Sequence, residues 1–348
     1  MRKIADVLSV DAMRGSRETL DALAARFDED VVAAHLQQHH GLQMGIARVF
    51  DAMRTLAGQT YENKPISFGC ILDPGWHSES TEVFPADFFK FKKYKALTDG
   101  FRTGYVVSSS GRLVGLVDLE HTQPALAGTE HHMYPDWAAH VARLSQGGRC
   151  GLCLTRAGDV LVFDEGTLRF AYRFGRWRYL NHSHIIDLLR NLARIQHVPQ
   201  ARIGRVVKSI YRTALDVSFR RTGGLLVMLR NQNNLRALVR TGDAIGDDSR
   251  LGVDEELDRA LPGDTIQGLP RRVVAELAGL DGAVVIANSG TLLAYGAILQ
   301  PRRRGRLRGT EGSRTKAAIG ASAEGLAIKI SADGDITVYK DGDPVLSV

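Results

Sequence analysis

Two short stretches near the end of the chain carry residue types suited to a phosphorylated ligand. The first is Asp281-Gly282-Ala283, within the run Gly279 to Ile286; the second is Gly312-Ser313-Arg314-Thr315-Lys316-Ala317-Ala318-Ile319-Gly320. A carboxylate is a hard oxygen ligand suited to Mg²⁺ or Mn²⁺, and glycine lets the backbone approach a nucleotide with no side chain between. Hydroxyl and cationic side chains such as Ser313, Arg314, Thr315 and Lys316 are donors for phosphate oxygens. Together the stretches read as a nucleoside-triphosphate site, with Asp281 as metal ligand and the basic segment as phosphate cradle. A strand-like run, Thr291 to Leu299, separates them. Acid and basic segment are therefore expected at neighbouring strand ends, where ligands of α/β sheets gather. An aspartate before Gly-Ala is also a turn former, and that plainer reading stands beside the metal one.

At these residues the chain resembles the diadenylate cyclase (DAC) domain family, the nucleotide-binding domain of the DNA-integrity-scanning checkpoint protein and its relatives. That family joins an Asp-Gly-Ala motif to a Gly-Thr-Arg-His-Arg-Ala-Ala motif. Here the first is intact, and the second has Ser313 for Thr, Thr315 for His and Lys316 for Arg. Ala214 to Ser218 and Gly223 to Leu229 are similar to the family's opening helix and first strand, and Ile319 to Ser322 and Ile328 to Val338 to its closing segments. The resemblance covers roughly residues 206 to 348.

It implies a mixed β-sheet flanked by helices, with Asp281, Arg314 and Lys316 catalytic and Asp281 the metal ligand. Nucleotide contacts are implied at Gly282, Ala283, Leu299, Gly312, Ser313, Arg314, Thr315, Lys316 and Ser322. The implied reaction is metal-dependent nucleotidyl transfer, with Mg²⁺ or Mn²⁺ as cofactor. It would condense two nucleoside triphosphates into a cyclic or linear dinucleotide second messenger, in bacterial stress or anti-phage signalling. A face-to-face homodimer would bring the two nucleotides together. The departures bear on activity, because Thr315 removes an imidazole and Lys316 keeps charge while losing the planar fork. The family's Ser-Glu pair appears as Ser322-Ala323, with Glu324 one place late. A catalytically silent sensor that binds a nucleotide signal in the same pocket is the alternative.

The elements that would carry this site follow from periodicity. Overall the pattern reads as α/β: an N-terminal α/β domain over residues 1–200, regulatory, sensory or dimerising, and a DAC-like domain over 201–348. Apolar spacing predicts helices over Ser16 to Gln38, Met44 to Leu56 and His184 to Gln196. Strand-like runs cover 66–72, 104–109, 112–119, 151–155, 159–164 and 168–172, two pairs of them joined by hairpin-type turns. Val198-Pro199 is the expected boundary. Strand, tight turn, strand recurs in both halves, which is suggestive of a repeat. No second Asp-Gly-Ala followed by a basic motif occurs in the first half.

Composition bounds the rest. At 348 residues with 44% hydrophobic and 24% charged residues, the chain falls among folded globular proteins of about two domains. No apolar segment approaches the roughly 20 residues of a membrane helix, and the start Met1-Arg2-Lys3-Ile4-Ala5-Asp6 lacks a signal-peptide core. A cytoplasmic protein without membrane contact is expected. The net charge of +6 is concentrated at Arg302, Arg303, Arg304, Arg306 and Arg308. That run could clamp phosphates, hold a nucleic-acid backbone without reading sequence, or form a solvated loop. Cys150-Gly151-Leu152-Cys153 is half of a zinc pattern, with His131, His132, His140, His182 and His184 as candidate partners and a buried strand as the simpler reading.

Overall fold

The computed structural model describes residues 17–42, 46–75, 97–121, 132–245, 261, 263–300 and 312–348, and the chain divides into two compact units, Met1–Leu180 and Asn181–Val348. The division falls ahead of the expected Val198-Pro199 step. The helix that ends just before that step packs against the helix that follows it, so both belong to the second unit. The Arg302 to Arg308 run, His131 and Ser16 lie outside the described residues.

In the first unit, α1 (Arg17–His40) and α2 (Ile46–Leu56) precede a short hairpin, β1 (Thr60–Tyr61) and β2 (Lys64–Pro65). The main sheet comprises β3 (Phe68–Asp73), β4 (Thr103–Ser108) and β5 (Leu113–Asp118). A short helix α3 (Ala139–Leu144) intervenes before β6 (Cys150–Leu154), β7 (Val160–Asp164), β8 (Thr167–Arg173) and β9 (Arg176–Tyr179). Its strand order is β5-β4-β3-β6-β7-β8-β9. Phe68, Cys70 and Leu72 face α1 and α2 in one apolar cluster, while Gly151, paired with Ile71, lies against Val141 of α3 on the other face. Central strands covered on both faces are apolar almost throughout, as β3 and β6 are. The same alternation removes the zinc reading. Residues three apart on a strand point to opposite faces, and both thiols are buried, Cys153 donating to the Gly100 carbonyl at 2.9 Å. Burial pushes both thiols well above their usual range. No cluster of three or more metal-ligating side chains occurs among the described residues.

The second unit begins with α4 (His182–Ile195) and α5 (Gln200–Arg220), whose apolar residues Ile203, Val206, Val207, Ile210, Ala214 and Val217 recur at helical spacing. Then come β10 (Gly224–Leu229), a short α6 (Leu235–Leu238), α7 (Arg271–Gly279), β11 (Ala283–Ile286) and β12 (Leu292–Ala297). Helix α8 (Ser313–Ala321) leads to β13 (Gly325–Ile330), β14 (Ile336–Lys340) and β15 (Asp343–Ser347). The order is β12-β11-β10-β13-β14-β15, with β10 and β11 parallel and the other neighbours antiparallel. Leu225, Val227 and Leu229 form a cluster with Ala318, Ile319 and Ala321 of α8. Gly224, on the opposite face, abuts Ala278 of α7 and Val217 of α5. The fully buried Asp216 of α5 takes a two-pronged contact from Arg271, Nε at 2.7 Å and Nη2 at 2.9 Å, which staples the start of α7 onto α5.

The two sheets repeat one plan. In each, the first long strand pairs parallel with the second and antiparallel with the fourth, and all remaining neighbours are antiparallel; β9 is the one addition. In each, a helix pair precedes the first of these strands and a single helix precedes the fourth. The repeat suggested by the sequence is present at the level of topology. No helix among the described residues is long and apolar enough to cross a membrane.

One ion pair ties the end of α1 to the β7–β8 turn. His40 Nδ1 lies 2.8 Å from the Gly148 carbonyl, and Nε2 lies 3.2 Å from Asp164 Oδ1. A carbonyl only accepts, so Nδ1 carries a proton, and the carboxylate opposite Nε2 favours a second. The bond to Asp164 raises the His40 pKa against the opposing effect of burial. Burial pushes the Asp164 pKa up, but the His40 bond and charge outweigh it and leave it lowered. The raised histidine pKa makes the pair's contribution complete below the unfolded value of about 6.5 and lost as pH rises through the folded one. At the acid end it is lost as Asp164 protonates below the ordinary carboxylate range. Trp137 and Trp177 pack within the first unit against Phe101 and Phe50, so their fluorescence reports its unfolding. Urea midpoints should be higher for the wild type than for His40→Gln near pH 6, with the gap closing toward pH 9. A gap independent of pH would show that the ion pair contributes nothing.

Candidate functional site

The registers place both sequence motifs at one end of the second sheet. Leu226 pairs with Val284, so the starts of β10 and β11 are level, and Ala283 pairs with Ala297 at the end of β12. Gly224 pairs with Ile330 at the end of β13. Helix α8 precedes β13, whose first residue, Gly325, is level with Leu229 at the opposite end; the helix therefore starts at the end where Asp281 stands. Two contacts at that start agree. The Arg314 guanidinium lies against Gly223, and Lys329 Nζ donates to Thr315 Oγ1 at 3.2 Å. This end is the amino end of β10 and β11 and the carboxyl end of β12 and β13, so the general rule for parallel sheets, which puts ligands at carboxyl ends, applies here only in part.

Asp281 is exposed at the foot of β11, and its Oδ1 accepts the Gly282 N–H at 3.1 Å. Among the described residues it makes no ion pair. Gly282 has a φ of +103°, and a Cβ there would collide with the Gly296–Ala297 backbone, where β12 bulges against β11. Glycine is therefore required both by conformation and by space. Ala283 is buried in the cluster beneath α8. Leu299, just past β12, bridges to Val239 and packs at the rim of the same cluster.

Gly312 caps α8 in extended geometry with no side-chain cap, and the first helical bond runs from Lys316 N–H to the Gly312 carbonyl. The N–H groups of Ser313, Arg314 and Thr315 are thus left without helical acceptors, and with the helix dipole they favour an anion. Ser313 and Lys316 are exposed, and Arg314 and Thr315 half-buried. Arg314 Nε is buried without a hydrogen-bond partner.

Ser322 is the exception. It follows the last turn of α8, about 15 Å from Gly312 at 1.5 Å per residue. It is fully buried, its hydroxyl donating to the Ile319 carbonyl at 2.7 Å and accepting the Gly342 N–H at 2.8 Å. Glu324 is at that far end too, bound to Asn234 Nδ2 at 2.6 Å. A phosphate contact from Ser322 is therefore corrected: its oxygen is committed to closing the helix onto the β14–β15 turn. Lys329 is the residue the motif reading missed. The available signal was a lysine between Ile328 and Ile330 on an otherwise apolar strand.

The first unit offers an instructive contrast at the same end of its own sheet. Asp99-Gly100 precedes β4 much as Asp281-Gly282 precedes β11, but Asp99 Oδ1 is taken by the N–H groups of Phe101, Arg102 and Thr103 at 2.9, 2.8 and 3.1 Å. Burial raises its pKa, yet those bonds prevail and hold it below the usual range. Where α8 brings Arg314, the turn before α3 brings Asp136 and Trp137, the latter packed edge-on against Phe101 at 4.6 Å. That carboxylate is committed to its own turn.

Residues 212–343 match the DAC family, described as the DisA bacterial checkpoint controller nucleotide-binding domain. No curated protein matches the chain. Among solved structures it is similar to a hypothetical membrane spanning protein from Bacillus cereus, at 21% identity over 47% of this chain and 76% of that one, with a TM-score of 0.31. It is also similar to DacA from Staphylococcus aureus, solved as a double mutant, at 25% identity over 40% of this chain and 83% of that one, with a TM-score of 0.27.

The two roles of the α8 ends separate experimentally. Ser322→Ala leaves the Gly342 N–H without its acceptor, and should cost about 1–3 kcal/mol in thermal or urea unfolding. ATP affinity of the folded fraction should stay within about twofold, well under the loss expected for a charge-assisted phosphate contact. A large affinity loss at unchanged stability would return Ser322 to the site.

Proposed function

Starting from a chain whose residues 212–343 are a DAC nucleotide-binding domain, we propose that this protein is a nucleotidyltransferase that joins two nucleoside triphosphates into a cyclic or linear dinucleotide. The observation that supports it most is the shared sheet end: an exposed carboxylate, a side-chain-free approach at Gly282, and the open N-terminus of α8 flanked by Arg314 and Lys316.

In this reading the triphosphate lies at the first turn of α8. Backbone N–H groups of residues 313 to 315 and the Arg314 and Lys316 side chains orient it. The 3′-hydroxyl oxygen of one nucleotide bonds to the α-phosphorus of the other as the bond to the β-phosphate oxygen breaks; pyrophosphate leaves and the hydroxyl proton passes to solvent. Catalysis of this kind is mostly positioning and charge neutralisation. The donor set fits a hard divalent cation: Asp281 gives one carboxylate with an oxygen that has no partner among the described residues, and Mg²⁺ or Mn²⁺ commonly takes one or two carboxylates with phosphate and water oxygens completing the shell. Such an ion would supply charge neutralisation at the phosphates. Because the described site holds one carboxylate and one phosphate cradle, a second chain is needed to present the second nucleotide. The functional form is then a homodimer, at least during turnover. The first unit would serve in regulation or assembly, since the carboxylate at its own sheet end is taken up by backbone N–H groups.

Asp281→Asn keeps the shape and removes the anion, so dinucleotide and pyrophosphate formation, read by mass spectrometry with each NTP and Mg²⁺ or Mn²⁺, should drop at least ~100-fold. Folding should be unaffected. Near-normal synthesis by this variant would overturn the assignment. NTP binding by the wild type without any pyrophosphate release would instead identify a silent sensor, the outcome to which Thr315 in place of histidine points.

Dimer dependence gives a separate measurement. Specific activity should rise with protein concentration until the dimer saturates. Activity per chain that stays constant down to concentrations at which ultracentrifugation finds only monomer would exclude the two-chain arrangement.

A further inference from the structure

We propose that Lys329 is a triphosphate-binding residue of this site, holding phosphate oxygens jointly with the Thr315 hydroxyl at the first turn of α8. The inference deepens the reading of the site given above and rests on it.

Sheet register puts Lys329 where it can do this. Lys329 pairs with Leu225, and Leu226 pairs with Val284, so Ala283, Leu225 and Lys329 stand in one row across β11, β10 and β13. At about 4.8 Å between strands, Lys329 is two strands, or roughly 10 Å, from the Ala283 that ends the Asp-Gly-Ala motif. Ala283 and Leu225 belong to the apolar cluster under α8, and neighbours in a row share a face. The lysine therefore rises from the floor of the site toward the helix. Its stem is half-buried and its Nζ ends at Thr315, in the turn where the α8 N–H groups lack acceptors.

The electrostatics of that position need an anion. Lys329, Arg314 and Lys316 crowd the positive end of a helix, and like charges there repel each other and the dipole. None of the three pairs with a carboxylate among the described residues. Lys329 is also the one held on a strand. Lys316 is exposed at the end of a flexible stem, so ordering it on a ligand costs side-chain entropy, whereas the strand-anchored ammonium is already in place. A residue serving structure alone would sit on that face as an aliphatic, as Leu225 does.

The test uses the full-length protein with inorganic tripolyphosphate, ATP and adenosine as probes, measured by calorimetry. Lys329→Met should weaken tripolyphosphate and ATP binding at least tenfold, leave adenosine binding within about twofold, and keep or raise the melting temperature of the unliganded protein, since it relieves charge repulsion. Lys329→Arg should retain most of the affinity. Arg314→Ala is the companion variant. Wild-type tripolyphosphate affinity in Lys329→Met, with a loss in Arg314→Ala, would overturn the Lys329 assignment and leave the site standing. Unchanged affinity in both would remove the triphosphate site itself. A lower melting temperature in Lys329→Met together with equal losses for all three probes would assign Lys329 to structure and overturn its binding role.

Discussion

The parallel pairing of β10 with β11 is the constraint on which the candidate site depends. Parallel neighbours cannot be joined by a tight turn and need a crossover, which here includes α6 and α7. The crossover returns the chain to the level where β10 began, so Asp281 and Gly282 arrive beside Gly223. The buried Asp216–Arg271 contact holds the last leg of that path. Partners of a buried ion pair cannot be removed singly without leaving an uncompensated charge, so the start of α7, and through it the step into β11, has little freedom. Gly282 then meets the β12 bulge backbone to backbone, and the same pairing of β11 with β12 turns Leu299 toward the rim of the α8 cluster.

A second consequence comes from the antiparallel partner on the other side of β10. With β13 running back against β10, the helix that precedes it must begin at the β10 amino end, which aims an open helix N-terminus at the same place as the carboxylate. The first unit obeys the same topology, down to a helix before the fourth strand, yet gathers Asp136, Trp137 and a committed Asp99 there. Topology thus brings two segments together, while the residue types at their tips decide whether anything charged can bind.

The legible parts of the sequence were those with local physical signatures. Alternation and helical spacing announced most elements, because burial on one face leaves a period in the residues themselves; β3 to β8 and α4 lie within a few residues of the runs expected. The two motifs at Asp281 and Gly312 were legible as belonging together, and the sheet register sets them at one end of the sheet. Ser322 was misplaced because sequence proximity to the basic motif hid a whole helix of separation. Lys329 was overlooked for the converse reason: it is distant in sequence, and only the strand register sets it beside Ala283. The domain boundary moved for a related cause. Val198-Pro199 does interrupt a helix, but an interruption between two helices that pack together is a turn within a unit.

Charge balance joins these observations. The described site contains one exposed carboxylate and three cations gathered around a helix end that is itself positive, Arg314 and Lys316 on α8 and Lys329 on β13. Among the described residues those cations pair with no carboxylate and the carboxylate pairs with no cation. In the proposed reading, a triphosphate accompanied by a divalent ion would supply both missing charges in one ligand, with Arg314, Lys316 and Lys329 to hold its anionic oxygens and Asp281 to hold the ion. The low cost of leaving Asp281 solvated and the higher cost of a half-buried Lys329 make the α8 side the one where ligand binding gains most.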